Sequence, residues 1–146
     1  MKKFFLIISI LIISTLVFFL SFITFSSCEA KEMREYYSDK DNYVVATGTV
    51  THIKYSNDGA LYIGLSRVEG HAYNNTYKFV GKNMTIVRNN GIGNKLKIGD
   101  RIEFVTAPDS FWDGYTPYLV GITINGETLL EFEEGFVNLN KWLEEE

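Results

Sequence analysis

Hydrophobic positions fall into two regimes along this chain. From Phe4 to Phe25 they are continuous, interrupted only by Ser9, Ser14, Thr15, Ser21 and Thr24. A helix of that length spans about 30 Å of hydrocarbon with its backbone groups mutually satisfied. Beyond residue 42 the pattern becomes periodic. Val44 to Tyr55 is rich in β-branched residues and predicts a long strand, with Gly48 marking a bulge or bend. Asn57-Asp58-Gly59 predicts a hairpin turn, and Ala60 to Val68 alternates as the returning strand.

The same reasoning carries on through the rest of the chain. Glu69 to Thr76 reads as a polar loop, and Tyr77 to Val87 as a third strand region broken at Gly81-Lys82. Asn89 to Asn94 is a turn cluster. Gly99 turns the chain into Arg101 to Thr106, a strand with Ile102 and Phe104 pointing inward. Ala107 to Pro117 is the longest irregular stretch. Tyr118 to Ile124 is a fifth strand, and Asn125-Gly126 a second hairpin signal before Glu127 to Leu130. In the tail, Phe132, Phe136, Leu139 and Leu143 trace the apolar stripe of an amphipathic helix. Gly135 inside it should cost about 1 kcal/mol relative to Ala.

Five or six short strands, two hairpins, a glycine-bent first strand and a closing helix define a mainly β domain. From Tyr43 to about Leu130 it resembles an OB-fold-type barrel; an SH3-like barrel or an open meander gives nearly the same pattern. The expected organisation is a leader over 1–28, a charged tether over 29–42 and a small β-barrel domain with a C-terminal helix over 43–146. Met33 and Tyr37, four residues apart, allow part of the tether to be helical.

Charge sharpens the division. All 18 acidic residues lie beyond Cys28, and Lys2 and Lys3 stand before the apolar run. With a net charge of −4 and no basic stripe, nucleic-acid binding by phosphate neutralisation is disfavoured. The domain also has no disulfide partner, since Cys28 is the single cysteine. Its stability must come from a core built on all nine Tyr, both Trp and the downstream Phe.

The leader has three possible fates: a retained transmembrane anchor, a plain signal peptide, or a lipoprotein signal. Phe25-Ser26-Ser27-Cys28 resembles the lipobox of bacterial lipoproteins, small residues preceding the cysteine, though Phe25 stands where Leu is usual. The run is also longer than the ~7–15 residues of an ordinary secretory core. The resemblance implies a small bacterial lipoprotein acylated at Cys28, with chains sufficient for stable anchoring. Lys2 and Lys3 favour a cytoplasmic N-terminus, with Lys31 and Arg34 nearly balancing them. All three fates place the acidic domain on the extracytoplasmic side of the cell membrane, with the bilayer as a partner through residues 4–25 or acylated Cys28.

Candidate chemistry is sparse. Asp109 to Tyr115 gathers Phe111, Trp112, Asp113 and Tyr115 in one loop. Aromatic faces flanked by acids can bind a sugar, a cation or an extracytoplasmic protein. Alternatively Phe111 and Trp112 fold back to cap the domain, with Asp113-Gly114 making a turn. His52 and His71 lack the companions a zinc site needs, so no metal is expected. Gly91-Ile92-Gly93 reads as turn glycines, and no cofactor motif accompanies it. Asp109 and Asp113 could do acid–base work, but no catalytic motif surrounds them. The sequence therefore points to a non-catalytic binding module on a membrane tether, with a single-span membrane subunit or a carbohydrate-active enzyme as alternatives.

Overall fold

The structure, a computed structural model, describes residues 11–18, 31–57, 59–108 and 115–145. Two compact units result, Met1–Tyr36 and Tyr37–Glu146. In the first, residues 11–18 are helical with apolar side chains exposed. The Ser14 and Thr15 hydroxyls donate back to the Leu11 carbonyl at 2.9 and 2.8 Å. That leaves no hydroxyl hydrogen unpaired on an otherwise oily surface. Residues 31–38 are also helical, with an exposed Lys31–Glu35 pair at 3.6 Å. Among the described residues no helix is long and apolar enough to cross a membrane. Cys28 and the rest of the leader lie outside them.

The second unit is a six-stranded antiparallel sheet with helices. Its strands are β1 (Val44–Tyr55), β2 (Leu61–Glu69), β3 (Thr76–Phe79), β4 (Arg101–Thr106), β5 (Leu119–Ile124) and β6 (Glu127–Leu130). They lie in the order β3-β2-β1-β4-β5-β6. Helices α1 (Gly81–Asn89) and α2 (Ile92–Lys95) connect β3 to β4, and α3 (Phe132–Glu145) closes the chain. β1 is shared: its first half pairs with β4 and its second half with β2. The register shifts between Thr47 and Thr49, so the bulge sits at Gly48 as its glycine suggests. Asn125 and Gly126 have φ of 52° and 80°, the paired positive values that let a two-residue turn follow strand twist.

One face of the sheet is the core. Leu61, Ile63, Tyr77, Phe79, Ile102, Phe104, Leu119 and Ile122 are buried on it. The expected inward positions of Ile102 and Phe104 hold, at 1% and 0% exposure. The sheet does not close into the barrel expected from the strand spacing. β3 meets the entry to β5 only through a parallel bridge, Lys78↔Tyr118, where the Lys78 amide donates to the Pro117 carbonyl at 2.9 Å. The four residues of β3 are too few for a longer ladder, because the chain turns away at Gly81.

That turn overrides a second expectation. The third strand region ends at Phe79, and Gly81–Asn89 is helical. Thr85, Ile86 and Val87 are strand-favouring residues, but Asn83 and Val87 share the face that packs inward. Burial outweighs their propensity. Asn83 donates from Nδ2 to the Gly135 carbonyl at 2.8 Å, tying α1 to α3.

The tether also shortens. Tyr37 is fully buried, and its carbonyl accepts from the Tyr43 hydroxyl at 2.9 Å and from Asn140 Nδ2 at 3.1 Å. Lys40 pairs with Glu133 and lies 5.1 Å from the Phe136 ring centroid. The compact unit therefore begins at Tyr37 rather than Tyr43. On α3 the buried face is Gly135, Asn138, Leu139 and Leu143, with Phe132 and Phe136 rotated aside to cover Tyr43, each ring 5.5 Å away.

Candidate ligand cleft

Tyr62 and Lys78 are direct register partners on β2 and β3. Leu61, Ile63, Tyr77 and Phe79 point into the core, so alternation turns Tyr62 and Lys78 to the opposite face. Trp142 arrives from α3. Its indole lies against Gly81, where an added Cβ would stand 2.7 Å from Trp142 Cδ1. On its other side the indole meets the Tyr118 ring edge-on at 5.6 Å. Together with Gly59, Ala60 and Val80 these residues line a cavity of about 250 Å³.

The cationic group of the cleft is held in place. Lys78 Nζ lies 4.7 Å from the Tyr118 ring centroid and 5.0 Å from that of Tyr115. Tyr115 packs edge-on against Tyr118 at 5.7 Å, and its carbonyl accepts from Asn74 Nδ2 at 3.4 Å. Of the loop residues singled out by sequence, Tyr115 is thus placed beside this cleft through Lys78. Phe111, Trp112, Asp113 and Asp109 lie outside the described residues.

The histidines have structural surroundings. His52 Nδ1 is 3.3 Å from Thr51 Oγ1, and its ring covers Gly64, its partner on β2. His71 is an exposed loop residue with a φ of 63°. Asp39 accepts from the Asp41 amide at 3.0 Å, starting a 3-10 turn rather than a cation loop. Among the described residues no group of three or more His, Cys, Asp or Glu could hold a metal ion.

Tyr77 lies behind the cleft, within the core, its ring 4.8 Å from Phe104. Its hydroxyl has no hydrogen-bond partner among the described residues. Burial pushes the phenol up to about 12, while the Asn74 backbone pulls the other way. The native state therefore holds this proton more tightly than the unfolded chain. The associated stability is fully present below pH ~10 and is lost as pH rises towards ~12. Tyr77→Phe should be nearly neutral at pH 7, since it removes an unpaired buried hydroxyl. Between pH 8 and 11.5 the wild type should lose about 1–2 kcal/mol more stability than Tyr77→Phe, as read from urea midpoints. Equal losses would place the phenol in contact with water.

Tyr62, Lys78 and Trp142 were not among the residues the sequence nominates. Only the alternation of β2 hinted that Tyr62 faces away from the core. No protein-family model, curated protein or solved structure matches this chain.

Proposed function

We propose that this chain is a membrane-tethered, extracytoplasmic binding module, non-catalytic, on an OB-type scaffold. Three features support the scaffold: β1 shared between two halves, a helix between β3 and β4, and the parallel approach of β3 to β5. The tether is read from Lys2-Lys3, the apolar run and the lipobox-like Phe25-Ser26-Ser27-Cys28. Acylated Cys28 then anchors the acidic domain to the cell membrane.

The observation that carries the binding role is the cleft itself. Aromatic walls from separate elements converge on one cation, with Tyr115 fixed at its side. Loops and strand faces of this kind position ligands on a rigid sheet. Tyr115 ends the aromatic loop, so Phe111, Trp112 and Asp113 are assigned to the same recognition surface.

Trp112→Ala tests that assignment. The variant should melt cooperatively at the wild-type temperature. It should also lose most of the product formed by a photocrosslinker placed at Thr116 in intact membranes. Cooperative unfolding lowered by about 3 kcal/mol would mark Trp112 as core instead. An unchanged crosslinked product would remove the loop from the site.

A further inference from the structure

We infer that the cleft takes a small ring-bearing carboxylate, its ring against Tyr62 and Trp142 and its carboxylate at the Lys78 ammonium. This rests on the binding-module reading and narrows it to a ligand class.

Size sets the first limit. About 250 Å³ is below the roughly 300–1,000 Å³ of sites for drug-sized ligands, so a single substituted ring fits. Wall chemistry sets the second. Tyr62 and Trp142 offer flat apolar surfaces, which favour the face of an aromatic ring or the C–H face of a sugar. Charge sets the third. The domain is acidic, yet no Asp or Glu lines the cleft and Lys78 does. The Tyr115 and Tyr118 rings carry no net charge, so their contact positions the ammonium without neutralising it. A carboxylate there gains a charge-assisted hydrogen bond.

The walls are also set in advance. Trp142 is wedged between Gly81 and the Tyr118 ring, and Tyr62 and Lys78 are fixed by strand register. Little side-chain ordering is left for binding to impose. Aromatic acids and uronic acids share the ring and the carboxylate, and the experiment separates them.

The full chain in detergent micelles, labelled with 15N, is titrated with benzoate and with glucuronate, and in parallel with benzyl alcohol and glucose. The Trp142 indole signal is identified with Trp142→Phe. Saturable shifts at the Trp142 indole and the Gly81 amide are expected with one or both acids, and whichever saturates names the source. The neutral analogues should bind at least about tenfold more weakly. Lys78→Met should lose about tenfold in affinity, and Lys78→Arg should retain it within about threefold. Failure of both acids to saturate, or equal binding of the neutral analogues, overturns the inference. Saturation by benzyl alcohol or glucose alone overturns the carboxylate and leaves the binding-module reading standing. If Lys78→Met does not fold, the comparison of acids with neutral analogues on the native chain decides.

Discussion

Gly135→Ala should unfold the domain at a temperature roughly 10–15 °C lower than the wild type, a loss of about 2–3 kcal/mol. An added Cβ at Gly135 would lie 1.8 Å from the Val120 carbonyl oxygen and 2.6 Å from its carbonyl carbon. Val120 is in β5, fully buried, so the obstacle is backbone that cannot swing aside. Helix α3 would have to lift, exposing Leu139 and Leu143 and breaking the bond from Asn83 to the Gly135 carbonyl. Alanine's better helix propensity returns only about 1 kcal/mol. Gly64→Ala is the control. There the overlap is nearly as severe, 1.9 Å, but the obstacle is the His52 ring. An exposed imidazole can rotate away, so the cost should stay within about 1 kcal/mol. Thermal melts of the two variants by circular dichroism check the contrast. Equal melting temperatures would mean that α3 does not seat on Val120.

Gly135 also shows where the sequence was legible and where it was not. A glycine inside an amphipathic pattern reads as a local defect, because local propensity is all a sequence displays. Its real role depends on how closely α3 approaches β5. The strands β1, β2, β4 and β5 were readable, since alternation and the Asn125-Gly126 turn are local signals. Helix α1 was not, because Thr85-Ile86-Val87 favours a strand in isolation and only burial of Asn83 and Val87 reverses it. Tyr37 was hidden for the same reason. Its place in the core is secured by Tyr43 and Asn140, the latter far away in the chain.

The candidate site divides similarly. Tyr115 was nominated by composition, in a loop crowded with aromatics. Tyr62, Lys78 and Trp142 come from β2, β3 and α3, and only register and helix seating bring them together. Trp142 was further obscured because the stripe through Phe132 and Phe136 leaves it off the apolar face.

The largest effect expected for the whole protein concerns the leader. Deleting residues 2–27 and Cys28 should move the domain from the membrane to the soluble fraction completely. Each buried CH₂ of an acyl chain contributes about 0.8 kcal/mol, and one chain anchors only marginally while two or more anchor stably. The acidic domain supplies no compensating attraction to anionic lipid, given 18 Asp and Glu against 14 Lys and Arg in the whole chain. Cys28→Ser with the leader kept separates the two routes to the membrane. It blocks acylation while leaving the apolar run able to insert.

The most direct measurement is the intact mass of the polypeptide extracted from membranes with detergent. The account predicts a chain that begins at Cys28 and carries the added mass of its acyl chains. Met1 retained in a membrane-bound, unacylated chain would replace the lipid anchor with a spanning helix. Unmodified full-length protein recovered from the cytosol would contradict the account.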